Sequence, residues 1–134
     1  MKALPILLAI IVMAGLSACE STETGPCRCT EEFVTVGFYA VDQSGNPVEG
    51  IEVTVTQART GEVLLGNQGF GSRGYYVVAS DAVKDKLLGT GEVLNVTGIK
   101  DSLQFEESFV VGVPGGCRCH VQKFAGPDTL HLTL

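Results

Sequence analysis

The stretch Gly50-Ile51-Glu52-Val53-Thr54-Val55-Thr56 decides the fold class. Ile51, Val53 and Val55 fall on one side of an extended chain and Glu52, Thr54 and Thr56 on the other, because side chains alternate across a strand. One face is therefore buried and the other solvated, as in an antiparallel sheet covered on a single side. Upstream, Val34, Val36, Phe38 and Ala40 show the same alternation. Between these runs, Asp42-Gln43-Ser44-Gly45-Asn46-Pro47 is rich in residues that bond their own backbone or take positive φ, which predicts a turn joining the two strands as a hairpin. Downstream, the pattern predicts strands at Glu62 to Leu65, Tyr75 to Ser80, Glu92 to Thr97, Leu103 to Val111, Arg118 to Lys123 and Thr129 to Leu134. Only Asp81 to Leu88 reads as a helix, capped by Ser80 or Asp81, with Val83, Leu87 and Leu88 on a shared face and Gly89 ending it. The expectation is an all-β, Ig-like antiparallel sandwich of about seven to eight strands with at most one short helix.

Composition agrees with a single globular domain: 134 residues, 45% hydrophobic, 18% charged and no Trp argue against disorder, collagen or a coiled coil. Lys+Arg 9 against Asp+Glu 15 leaves a net charge of -6, and Lys2 is the sole charged residue before Cys19, so the remainder is more acidic still. An acidic body repels polyanions, and no nucleic-acid partner is expected.

The N-terminus has its own logic. Met1-Lys2 is a short positive start, Leu4 to Gly15 is nearly all apolar, and Leu16-Ser17-Ala18 ends in small residues directly before Cys19. A spanning helix needs about 20 apolar residues, and this run is shorter and interrupted by Pro5. Leu16-Ser17-Ala18-Cys19 resembles the lipobox of bacterial lipoproteins, in which the Cys is acylated, the preceding peptide is removed and the new amine is acylated in turn. The resemblance makes residues 1–18 a signal peptide, Cys19 the lipidation site and residues 19–26 a polar tether, leaving 27–134 as the sandwich domain. Several acyl chains, at about 0.8 kcal/mol per buried methylene, make a stable anchor without a spanning segment. Glu20 stands where inner-membrane lipoproteins typically carry Asp, so the resemblance implies the outer membrane, with the periplasmic or surface face undecided.

Asp42, Gly45, Pro47-Val48, Gly50-Ile51 and Val53, followed by Gly74-Tyr75-Tyr76-Val77, resemble the carboxypeptidase regulatory-like domain. That likeness covers roughly Phe33 to Ser80 and implies a transthyretin-like sandwich. Members of that family are mostly accessory modules without catalytic residues, which implies a non-enzymatic protein.

Five Cys make an odd count, and lipidation of Cys19 leaves an even set: Cys27-Arg28-Cys29 near one end and Cys117-Arg118-Cys119 near the other. On antiparallel neighbouring strands, residues two apart share a face, so the expected pairs are Cys27 with Cys119 and Cys29 with Cys117. Exported thiols become oxidised. The first bridge closes a loop of roughly 90 residues and stabilises by about 4 to 5 kcal/mol, whereas the second closes a very small remaining loop. The alternative is a thiolate site for Zn or Cu made by Cys27, Cys29, Cys117 and Cys119, with His120.

Partner contacts are expected at Arg28 and Arg118, which would face each other opposite the sulfurs as a clamp for an anionic group unless Glu31 and Glu32 neutralise them. They are also expected in the glycine-rich stretch Gly66 to Gly74, at Phe70 and Arg73. Phe70 either plugs the core, the commoner fate of a large apolar residue, or stands exposed as a contact. No nucleophile elbow or zincin helix occurs, and His131 alternates onto the solvent face of the last strand. Glu106 and Glu107 lie on opposite faces of one strand. The reading is a monomeric, membrane-anchored accessory, binding or structural module without a cofactor, whose partner is an envelope protein or a glycan.

Overall fold

The computed structural model describes residues 25–68 and 73–134, so the lipobox with Cys19, the start of the tether and Phe70 lie outside the described residues. The strands are β1 (Thr35–Val41), β2 (Glu52–Gln57), β3 (Val63–Gln68), β4 (Tyr75–Ser80), β5 (Glu92–Lys100), β6 (Leu103–Gly112), β7 (Gln122–Ala125) and β8 (Thr129–His131), with a 3-10 helix at Asp81–Lys86. They form two sheets, ordered β4-β1-β8 and β3-β2-β5-β6-β7. One apolar cluster fills the space between them, drawing Phe38 from β1 and Tyr76 from β4 against Val53, Leu94 and Phe109 of the larger sheet. The Phe38 ring stacks on Tyr76 at 5.6 Å and on Phe109 at 5.7 Å, joining the layers through aromatic contact. The fold is a small all-β sandwich, as the alternation predicts.

Four details depart from the sequence reading. The turn at Asp42 forms, with Oδ1 accepting the Ser44 and Asn46 amides at 2.8 Å each and Gly45 at φ 82°. It does not close a hairpin: apart from one bridge between Val41 and Pro47, β1 pairs with β4 and β8, while β2 pairs with β3 and β5. The chain changes layer after this turn because Val48 and Ile51 are both driven into the core. β8 runs parallel to β1, with Tyr39 opposite Thr129 and Val41 opposite His131, so the sandwich is not wholly antiparallel. Residues 118–121 form no strand: Arg118 has φ 46°, and the strand expected from Arg118 begins only at Gln122. Last, Asp81–Lys86 is a 3-10 helix with no side-chain cap from Ser80, and it buries Val83 and Leu87 but leaves Leu88 outside. A tight helix with three residues per turn cannot keep Val83, Leu87 and Leu88 on one face.

The crossover is held by one buried hydroxyl. Tyr76 is 1% exposed, and its phenol donates to the Val48 carbonyl at 2.9 Å while accepting the Ile51 amide at 3.0 Å. Both backbone groups sit where water cannot replace the phenol. Tyr76→Phe is expected to destabilise by about 1 to 3 kcal/mol, since the ring stays but two buried groups lose their partner. Denaturant unfolding measures this, and an unchanged midpoint would show that the crossover is held by apolar packing alone.

Candidate functional site

The two ends of the sandwich differ in construction. At the end where β1 begins, Thr35 lies opposite Ser80, and the segment that precedes β1 is fastened to the last third of the sequence. Cys27 pairs with Cys117 and Cys29 with Cys119, both at a separation of 90 residues and both with Cα atoms 5.3 Å apart. This corrects the expected pairing of Cys27 with Cys119 and Cys29 with Cys117. That register requires two antiparallel strands, but neither Cys-x-Cys segment is a strand. A constant sequence difference means that the two segments run side by side in the same direction. With all four sulfurs in S–S bonds, a thiolate metal set exists only after reduction, and no group of metal-binding side chains occurs among the described residues.

Beside the bridges, the Asp81 carboxylate gathers three segments. Its Oδ2 accepts the Val34 amide at 2.9 Å and lies 2.7 Å from Nδ1 of His120, while its Oδ1 accepts the Val121 amide at 2.9 Å. The side chain is only 10% exposed. Burial pushes its pKa up, but the His120 hydrogen bond, the two amides and the His120 charge together hold it below the usual 3.8. On the far side of the ring, Nε2 of His120 lies 2.8 Å from the Thr30 hydroxyl, next to Cys29. When Nδ1 carries the proton toward Asp81, Nε2 is an acceptor and Thr30 is its donor. Thr30, His120 and Asp81 thus form a hydroxyl–imidazole–carboxylate relay that also clasps the N-terminal segment to the domain.

Of the two arginines expected to form an anion clamp, Arg118 is bound to backbone carbonyls. Its left-handed backbone turns the guanidinium onto the end of the 3-10 helix, where Nη2 donates to the Leu87 carbonyl and, at 3.4 Å, to that of Lys84. Cationic groups are favoured at such carbonyl-rich ends. Lys84 returns the contact by donating to the Cys119 carbonyl at 3.3 Å. None of the ion pairs among the described residues involves Arg28, Arg118, Glu31 or Glu32, so the neutralising acids expected there play no such part. Arg28 is exposed. An open cleft of about 850 Å³ runs along this corner between Val34, Gly115, Arg118 and His120.

At the opposite end, where β1 finishes, lie the Asp42 turn and the return of the glycine-rich stretch. Arg73 has φ 55° and its amide donates to Oε1 of Glu49 at 3.0 Å, while Lys100 donates to the Glu49 carbonyl at 2.5 Å. Arg73 is therefore an exposed residue held by its backbone. His131 is exposed on β8, and Glu106 and Glu107 point to opposite sides of β6, as the alternation predicts.

The structure adds residues that the sequence reading passed over. The sequence suggests only a helix cap for Asp81, although an acid directly after a strand and before a helix is as well placed to bind neighbouring backbone amides. Thr30 carried no signal. Tyr39 and Tyr75, on neighbouring strands, stand together on the outside of the smaller sheet with ring centroids 5.0 Å apart. No family model, curated protein or solved structure matches this chain.

Two predictions arise here. Asp81→Asn should cost about 1 to 3 kcal/mol at neutral pH, because a carboxamide has one acceptor oxygen where three N–H groups converge. Since the folded carboxyl titrates below its usual 3.8, its contribution is complete above that value and fades as pH falls further, so the gap between the two proteins should narrow in acid. Thermal unfolding at neutral pH and well below pH 3.8 tests this, and a gap independent of pH would refute it. For the bridges, replacing either pair by Ser should cost about 2 kcal/mol or less, and replacing the second as well a further 4 to 5 kcal/mol. The single-pair variants should nonetheless be cut faster near residue 27 by a broad-specificity protease, and half-lives equal to that of the native protein would remove protection as the reason for two bridges.

Proposed function

We propose that this chain is an exported lipoprotein, anchored in the outer membrane through acylated Cys19, that serves as a non-enzymatic accessory or binding module at the cell envelope. In this reading the sandwich is a carboxypeptidase regulatory-like, transthyretin-like domain acting as a monomer without a cofactor, and its partner is an envelope protein or a glycan. The supporting observation is the polarity of the domain. Two disulfides and the Asp81 network fasten the segment next to the tether at one end, while turns with exposed polar groups, Arg73 among them, occupy the other. A module hung from a lipid needs a reinforced end and a free one. Disulfides of this kind belong to oxidising compartments.

The test is fractionation with mass analysis. The native chain should sediment with outer-membrane vesicles and yield a mature mass that starts at Cys19 with added acyl groups. Cys19→Ser should appear in the soluble fraction. Membrane association unchanged by that substitution would overturn the anchor.

The relay supports a second reading. A hydroxyl, an imidazole and a buried carboxylate in that order can activate an alcohol for acyl transfer, with His120 accepting the Thr30 proton. Hydrolysis of p-nitrophenyl acetate by a soluble form starting at Glu20, abolished in Thr30→Val and His120→Ala, is its signature. Equal rates in all three proteins would leave the relay as a clasp.

A further inference from the structure

The outer face of the smaller sheet carries a cleft of about 340 Å³ that neither the bridges nor the distal turns use. Its floor is built by an absence. At Gly37 a Cβ would come within 2.1 Å of the Tyr76 carbonyl and 2.8 Å of the Tyr75 ring, so only glycine lets the Tyr75 ring lie over the backbone of β1. Tyr75 is thus seated on the sheet, with one face against Gly37. Tyr39, 52% exposed, stands beside it with the rings inclined at 58° and their centroids 5.0 Å apart. The wall is polar: Lys123, mostly covered, is paired with Asp128, whose side chain is 90% exposed, and Thr35 lies at the other side. A pre-formed aromatic angle with a few convergent polar groups is the composition of a small-ligand site.

We propose that this cleft binds a neutral oligosaccharide, an inference that rests on the binding-module reading and names its ligand class. Aromatic faces accept the apolar C–H faces of a pyranose ring, and the Asp128 carboxylate, the Lys123 ammonium and the Thr35 hydroxyl supply acceptors and donors for its hydroxyls. Charge selects a neutral occupant. Lys123 is already balanced by Asp128, so the cleft offers no free cation, and the acidic body repels polyanions. Spacing selects against a proline-rich peptide, whose extended helix repeats every 9 Å or so and needs successive slots, whereas rings 5.0 Å apart form only one.

The experiment uses the folded chain beginning at Glu20, labelled with nitrogen-15, titrated with cellohexaose, maltohexaose and chitohexaose, then with a hyaluronan oligosaccharide and decaproline. At least one neutral hexasaccharide should shift the amides of Thr35, Tyr39, Tyr75 and Asp128. Tyr39→Ala should weaken that binding about tenfold, the effect of losing one stacked ring. Tyr39 lies outside the core, so the fold should survive; if it does not, Asp128→Ala, at an exposed carboxylate, should weaken binding by a smaller factor. Binding of none of the three neutral sugars, binding unmoved by these substitutions, or a preference for hyaluronan or decaproline would overturn the proposal. Any of these would leave the membrane-anchor reading standing, since fractionation of Cys19→Ser decides that separately.

Discussion

The architecture depends on where one buried hydroxyl sits. Neighbouring strands in the chain normally pair, and the turn after Val41 is chemically suited to let them do so. Instead the chain leaves the smaller sheet and joins the larger one. That change of layer strands backbone groups at Val48 and Ile51 inside the protein, and the Tyr76 phenol serves both of them. Tyr76 also stacks on Phe38, its partner across the β1–β4 pair, and Phe38 in turn stacks on Phe109 of the larger sheet, so the side chain that fixes the connection belongs to the aromatic group that joins the layers. The pairing of β1 with β4, and the place of Tyr75 on the outer face, follow from Tyr76 pointing inward, since successive residues of a strand face opposite ways.

The reinforced end has a different logic, one of redundancy. The segment from Cys27 to Val34 has no strand of its own and little apolar burial, so it would fray from the domain if left to weak contacts. It is held instead by two covalent bonds, by the amide of Val34 on Asp81 and by Thr30 on His120. The Asp81 carboxylate tolerates burial because three contacts replace its hydration, two backbone amides and the imidazole, while its backbone amide separately donates to the Val34 carbonyl at 3.1 Å. The same corner receives Arg118, whose guanidinium donates to the carbonyls at the end of the 3-10 helix. The segment from Cys27 to Val34 is thereby fastened to the end of β4 and to the chain entering β7, the edge strands of the two sheets.

Much of this was open to reading from residues alone. Tyr75 to Ser80 is a strand with the predicted limits, and β5 and β6 begin at the expected Glu92 and Leu103. Each is a run rich in β-branched and aromatic residues that follows a turn signal, Gly74, Gly91 or Asp101-Ser102. The solvent position of His131 came from side-chain alternation. The misreadings cluster where the period is short or absent. Arg118 to Lys123 has too few residues to distinguish a strand from a bent loop stapled by its cysteines, and a left-handed Arg118 leaves no trace in composition. The mirrored Cys-x-Cys segments indicated adjacency correctly but not direction, because the sum rule and the difference rule bring the same four residues together.

What the sequence determined by itself is local and periodic: which residues face inward, where the chain turns, that one domain forms, and that the four cysteines of the body lie in two matched clusters. Those properties follow from side-chain alternation, turn chemistry and composition, which act over a few residues at a time. The tertiary structure alone decided which strands are neighbours, that β8 runs parallel to β1, that Cys27 meets Cys117, and that Asp81, His120 and Thr30 converge. It alone placed Tyr39 beside Tyr75 over the bare backbone of Gly37. These contacts join residues far apart in sequence, and they are selected by the packing of two sheets around a single core, a collective condition that no short stretch of chain expresses.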